Sequence, residues 1–305
     1  LTQDFAAVRA VIEEATVGVQ LSYCDHAYIE NTTLGDQTWG IELYRSNYAG
    51  IKNCTISGNS VTGIVNEYSD NVHIYNNTLD SNGYPTHDNG EYAVEMYYSQ
   101  NVKLENNTMM NSGVYLYGST STKAYYNSHD ITNNTVNDRD LLYLKGNSSE
   151  TLTGTYGQII LVETNSITIK DQDLSKASVG VTIVFSDRLH LEDLTCSWNY
   201  YGIYFDSDDH DTHNNTIESC EASYNIDDGI YFYSGSGDDA DDNLIANCTI
   251  SHNGDYGIYF YYPDKRNTIF NNTIHNNEDD GVYVYGSSSS NVDEMKLRHN
   301  SLSDN

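Results

Sequence analysis

Gly202-Ile203-Tyr204-Phe205 recurs letter for letter at residues 229–232 and 257–260, and returns once more as Gly281-Val282-Tyr283-Val284. A string repeated at a spacing of roughly 27 residues marks a stack of structural repeats, in which each repeat covers its neighbour's open face. Within the string the second and fourth letters are apolar and the third is not. That period of two is a strand, with Ile203 and Phe205 on the inner face and Tyr204 on the outer one.

Outward from this string, equivalent strands start at Gly18, Gly40, Gly63, Ala93, Gly113, Leu141, Gln158 and Gly180, which gives about twelve coils at roughly 4.8 Å each. A second motif, x-Ile-x-Asn-Asn-Thr-Ile, follows later in the coil at 74–79, 104–109, 131–136 and 269–274. For Ile74 and Leu79 both to face inward, one residue between them has to turn a corner. The first Asn suits the left-handed backbone of such a corner. The second Asn then faces inward, where its equivalents are Cys54, Leu194, Cys220 and Cys248, residue types that prefer burial. Inward amides stacked one above another satisfy themselves along the column.

Ahead of the repeats, Phe5, Val8, Val11, Ile12 and Ala15 fall at helical spacing behind Asp4, and predict a capping helix within residues 1–17 that covers the first coil's edge. Residues 18–305 form the solenoid. The stretch 145–156 (KGNSSETLTGTY) interrupts its rhythm and reads as a looped excursion. The last coil ends at Asn305 without a visible cap, and the chain opens on Leu1 without Met, so a trimmed product or a partner at the open edge is the expectation.

The chain carries 14 Lys and Arg against 44 Asp and Glu, a net charge of -30. That balance disfavours nucleic acid and anionic membrane as partners, because both require basic surface. No apolar run approaches a membrane span. The abundance of Asn, Ser, Thr, Gly and Tyr, with only 2 Pro, fits β structure with polar corners. Five Cys without a CxxC pair give no zinc or redox signature.

The Gly-Ile-Tyr-Phe and Asn-Asn-Thr-Ile strings resemble the repeat of right-handed parallel β-helix proteins, over nearly all of the chain after Gly18. The segment 157–183 (GQIILVETNSITIKDQDLSKASVGVTI) is similar to one found in the branch that includes the periplasmic copper-processing protein of nitrous-oxide reductase maturation and cell-surface proteins of methanogenic archaea. The resemblance implies an all-β, single-stranded right-handed solenoid. It does not fix an activity, since the same scaffold carries lyases, hydrolases, epimerases and structural proteins.

The first candidate site is the outer face of the first strand. Tyr115, Tyr204, Tyr231, Tyr259 and Tyr283 occupy its third position, where Glu42 and Glu95 also stand, and Tyr44, Tyr97, Tyr117, Tyr233, Tyr261 and Tyr285 its fifth. Two columns of phenols make a docking face for another copy of the chain or for a glycan; the plainer reading is β propensity and ladder pairing. The second is acidic: Asp206, Asp208, Asp209 and Asp211 in one lengthened corner, and Asp238 and Asp241 in the next, are candidate Ca²⁺ ligands, against solvated corner charge. Asp227-Asp228 and Asp279-Asp280 precede the first strand at matching positions. Cys220 and Cys248 share an inward column on adjacent coils and are a candidate disulfide, with packed thiols as the alternative. Most glycosylation sequons are by-products of the corner Asn. Asn147, in the excursion, is the candidate the repeat does not explain.

No catalytic residue is assigned. Basic residues are scattered, and none of the family motifs of pectate lyase, polygalacturonase or alginate epimerase is present. The expectation is therefore a secreted, cell-surface protein that builds a sheath or S-layer-like coat as a homo-oligomer or polymer, through the Tyr face and open coil ends, with no required cofactor. The alternative is a carbohydrate-active or glycan-binding β-helix at the cell surface. Metal handling after the copper-processing relative lacks a Met/His/Cys cluster.

Overall fold

The computed structural model describes residues 11–13, 15–83, 92–119, 121–207, 212–234, 240–262, 265–286 and 294–305. The chain divides into two compact units, residues 1–141 and 142–305. Each is a stack of parallel strands, and the described residues make up about eleven turns of right-handed β-helix.

In the first unit every coil contributes three strands to three parallel sheets. The first-strand sheet holds Val17–Ser22, Trp39–Tyr44, Thr62–Glu67, Tyr92–Tyr97 and Val114–Tyr117 in unbroken register. The second runs from Tyr28–Glu30 through Gly50–Lys52, His73–Tyr75 and Lys103–Glu105 to Asp130–Thr132. The third contains Thr33–Gly35, Thr55–Ser57, Thr78–Asp80 and Thr108–Met110. The second unit repeats the plan, its first-strand sheet running Tyr156–Val162, Val179–Val184, Tyr201–Asp206, Ile230–Tyr233, Ile258–Tyr261 and Val282–Tyr285.

The opening string divides as its alternation requires. Ile203, Ile230 and Ile258 are fully buried, and Phe205, Phe232 and Phe260 stack face on face with centroids 4.1 and 4.6 Å apart. The glycine ahead of them has its own reason. A Cβ on Gly202 would lie 2.4 Å from the carbonyl oxygen of Gly229 and 3.0 Å from Nδ2 of Asn225. At this coil the seam leaves no room for a side chain.

The corners also follow the sequence. Asn53, Asn76, Asn106 and Asn133 have φ of 53–54° and point outward. The residue after each is buried, and where it is Asn the amides form a ladder. Nδ2 of Asn77 donates to Oδ1 of Asn107 at 2.9 Å, and Nδ2 of Asn107 donates to Oδ1 of Asn134 at 2.9 Å. Where Cys54 replaces the amide, its backbone N–H still donates to Oδ1 of Asn77, so the ladder ends satisfied. A second ladder, Asn225-Asn253-Asn277, lies at the turn before the first strand.

Two expectations are corrected and one is refined. Val11–Glu13, assigned to the capping helix, is a strand paired parallel with Thr33–Gly35; β-branched Val11 and Ile12 suit that edge, and the rest of the proposed helix lies outside the described residues except Ala15, which is in neither helix nor strand. Leu141 does begin a coil, its strand lying next to Tyr156–Val162 in the first-strand sheet, but the coil is entered through a hairpin that the repeat does not predict. Leu141 lies in Arg139–Lys145, which turns back on Thr135–Val136 as an antiparallel hairpin through Asn137 and Asp138, both at positive φ. The stretch 145–156 is not simply a loop, because Ser148–Leu152 pairs parallel with Asn165–Lys170, Leu152 facing Ile169. Its run of Ser, Ser, Glu and Thr hides the alternation, since one buried apolar residue, Leu152, anchors it.

Candidate functional site

On the first-strand sheet of residues 1–141 three outward columns stand side by side. Register places Trp39 beside Thr62 and Tyr92, Glu42 beside Val65 and Glu95, and Tyr44 beside Glu67 and Tyr97. Three carboxylates on three successive coils thus share one face with Trp39 and Tyr97. These side chains, with Val65, line a groove of about 330 Å³. Tyr92 stacks on Tyr115 at 4.5 Å and Tyr97 on Tyr117 at 5.2 Å, walling the groove on the next coil. Gln20 donates from Nε2 to Glu42 at 2.8 Å on the opposite side.

The carboxyl groups are unequal. Burial, followed by the negative charge of Glu67, pushes Glu95 up to about 7. Glu67 is also raised, first by burial and then by Glu42, with Arg45 pulling the other way. Near neutral pH Glu95 can therefore act as a hydrogen-bond donor as well as an acceptor.

Arg45, at the corner after Tyr44, opens a second groove of about 520 Å³ beside the first. Its guanidinium lies 5.5 Å from the Tyr44 ring centre and 5.4 Å from that of Tyr68, and Tyr23, Tyr98 and Tyr125 complete the aromatic lining. The rim is fixed by side chains that bridge coils: Asp25 accepts from the N–H of Asn47, Asn47 from Asp70, and Asp70 from Gln100, each at 2.8 Å.

Of the phenols expected on an exposed face, Tyr44, Tyr97, Tyr115 and Tyr117 belong to this region, although Tyr115 is only 8% exposed. In residues 142–305 the columns form as read. Tyr231 stacks on Tyr259 at 4.8 Å, with Tyr283 5.2 Å further on, and Tyr233 stacks on Tyr261 at 5.2 Å and Tyr261 on Tyr285 at 5.3 Å. Tyr204, expected to be exposed, is 2% exposed, and its hydroxyl lies 3.3 Å from Oδ2 of Asp206. The open face thus begins at Tyr231 and not at the first copy of the repeat string.

Of the acidic candidates, Asp208, Asp209, Asp211 and Asp238 lie outside the described residues. Asp206 is buried under Tyr204. Asp241 accepts from the N–H of Lys265 and pairs with Arg266 at 3.2 Å, and Asp242 pairs with the same guanidinium. Among the described residues no group of three or more His, Cys, Asp or Glu is arranged to hold a metal. A different acidic column appears before the first strand, where Asp255 donates its backbone N–H to Asp227 and Asp279 donates to Asp255. Burial, followed by Asp227, drives Asp228 up to about 9, and burial with a hydrogen bond to Asp227 drives Asp255 up to about 7. Cys220 and Cys248 do share a column and are free thiols here; a thiol hydrogen bond with Cys248, followed by burial, pushes Cys220 up. Asn147 is exposed, with Nδ2 3.4 Å from Glu150.

Trp39, Val65 and Glu67 escaped the sequence reading. The coil starting at Gly63 breaks both Tyr columns, so a search along the phenols passes over it; aligning Thr62–Glu67 with Trp39–Tyr44 would have exposed the three carboxylates.

Stacked parallel strands, inward amide ladders and left-handed corners define a β-helix. The family model described as right handed beta helix region matches residues 3–152 and 92–293, and the chain belongs to that family. No curated protein matches it in sequence. Among solved structures, the A-module of a mannuronan C-5 epimerase from Azotobacter vinelandii aligns at 14% identity over 91% of this chain and 64% of that one, with a TM-score of 0.32. A periplasmic alginate epimerase aligns at 13% identity over 97% of this chain and 77% of that one, at 0.43. The catalytic unit of an α-1,3-glucanase from Streptomyces thermodiastaticus aligns at 16% over 92% and 49%, at 0.35. The chain spans less than two thirds of the length of the first and third of these.

Proposed function

We propose that this protein is a glycan-binding β-helix whose ligand lies across the first-strand face of residues 1–141. The observation that carries the reading is the interleaving of Glu42, Glu67 and Glu95 with Trp39 and Tyr97 in one groove. Aromatic rings offer apolar faces to the C–H surface of a sugar, and carboxyl groups take up its hydroxyl hydrogen bonds. A net charge of -30 favours a largely neutral polysaccharide over a polyanion. Binding is tested by calorimetry against a panel of neutral polysaccharides. One of them is expected to bind, and Trp39→Ala to weaken it by tenfold or more. Absence of binding to the whole panel, or an unchanged affinity in Trp39→Ala, overturns the reading.

A second reading keeps the cell-surface coat, with copies associating through the phenols of Tyr231 to Tyr285. What favours it is the pair of parallel stacked columns, with Tyr285 41% exposed at the last coil. Electron microscopy of the purified protein tests it, and particles that stay monomeric at every concentration tried would count decisively against it.

A further inference from the structure

A third groove, of about 650 Å³, lies on the second-strand sheet of residues 1–141, around Tyr28, Gly50, Lys52 and Tyr75. It owes its existence to a missing side chain. Register sets Gly50 between Tyr28 and His73 in one outward column. A Cβ at position 50 would sit 2.6 Å from Cδ1 of Tyr28, so the ring leans across the space a side chain would fill. It remains 48% exposed. The next outward column reads Glu30, Lys52, Tyr75.

Lys52 differs from two other lysines on such strands. Lys103 pairs with Glu105 at 2.9 Å, and Lys170 pairs with Glu192. Lys52 has Glu30 as its register neighbour, yet among the described residues it forms no ion pair. Its ammonium lies over the Tyr75 ring, 5.6 Å from the centre, and faces the groove. An ammonium without a carboxylate partner, set among aromatic rings in a molecule carrying -30, is complementary to a single negative group on a sugar-sized body.

We infer that this groove is a second saccharide site, which takes a sugar residue bearing one carboxylate, with that carboxylate on Lys52 and the sugar ring against Tyr28 and Tyr75. The protein's overall charge repels a polyanion, so the fitting ligand is a mostly neutral glycan with an isolated acidic residue. The site stands on observations separate from those behind the first-strand groove, and either can fail alone.

Calorimetry at low salt on the full chain separates them, with two probes: a tetrasaccharide carrying one glucuronate, and its counterpart with glucose in that place. The wild type is expected to prefer the acidic probe by roughly tenfold. Lys52→Gln should abolish the preference, Lys52→Arg should retain most of it, and Tyr28→Ala should weaken the acidic probe. Trp39→Ala should leave the preference intact. No preference in the wild type, a preference that survives Lys52→Gln, or one that vanishes with Trp39→Ala would each overturn the site. Lys52-dependent binding of the acidic probe by a protein that binds no neutral polysaccharide would leave this site standing and remove the first-strand reading.

Discussion

Glu95 and Glu67 stand on adjacent coils of one sheet, two positions apart along the strand, and the charge of Glu67 helps to hold the proton on Glu95. The folded-state value of Glu95, about 7, lies above that of an unfolded glutamate, about 4.3. The folded protein thus binds more protons through this window, and the stability Glu95 contributes at low pH is lost as pH rises through about 7. Glu95→Gln is expected to flatten the fall in melting temperature between pH 5 and 8. In a carboxyl-carbon NMR titration Glu67→Gln should lower the Glu95 midpoint, while burial, the larger cause, keeps it above the ordinary range. A midpoint that Glu67→Gln does not move would show that the two groups are independent.

Asp228 gives a second pH signature. Its Oδ1 accepts the backbone N–H of Tyr256 at 3.0 Å, and burial raises its carboxyl to about 9. An amide keeps that acceptor and removes the cost of taking up a proton on folding. Asp228→Asn is therefore expected to stabilise residues 142–305 at pH 8, where folding has to protonate an aspartate that is ionised in the unfolded chain, by on the order of 1 kcal/mol or more, and to change little at pH 4, where the unfolded carboxyl is itself about half protonated. Thermal melts at both pH values check it, and a destabilised variant at pH 8 would contradict the assignment.

The seam glycine separates two kinds of cost. Gly202→Ala places a Cβ 2.4 Å from a backbone oxygen of the next coil, which has to move. Gly146→Ala meets nothing within 4 Å and pays only for a φ of +67°. The first is expected to cost roughly 2 kcal/mol or more and the second about 1 kcal/mol. Because a solenoid unfolds in neighbouring blocks, hydrogen exchange around Ile203 and Ile230 is the more direct measure than one global midpoint. Equal protection in the two variants would mean that the seam yields freely.

The division between what could and could not be read follows from periodicity. Ile203, Phe205, Asn76 and Asn77 announce their places because the same residue returns in each coil and a corner admits few alternatives. The hairpin at Asn137-Asp138 and the rung at Ser148–Leu152 occur once, so nothing in the sequence could be laid against them. The groove has the same origin. Trp39, Val65 and Glu67 are departures from the repeat, and a site that makes one part of a solenoid unlike the others is built from such departures. The exposure of Tyr204 failed differently: an outward position is dictated by alternation, whereas its burial depends on structure beyond its own strand.

The amide ladder tests whether the inward column is held by hydrogen bonding or by shape. Asn107 donates through Nδ2 to Oδ1 of Asn134 at 2.9 Å and to the carbonyl of Ile74 at 3.0 Å, and its own Oδ1 accepts from the N–H and the Nδ2 of Asn77. An aspartate can still accept but donates nothing, and places a charge where no cation waits. Asn107→Asp should cost about 3 kcal/mol or more at pH 7 and recover partly in acid. Asn107→Leu removes both halves and leaves Asn77 short of one acceptor, yet matches what Leu194 does at the equivalent position of another coil. It is expected to cost less, about 1–3 kcal/mol. Denaturation monitored at the tyrosines of the first-strand sheet ranks the two variants; if leucine proved the worse at pH 7, shape and not polar satisfaction would govern this column.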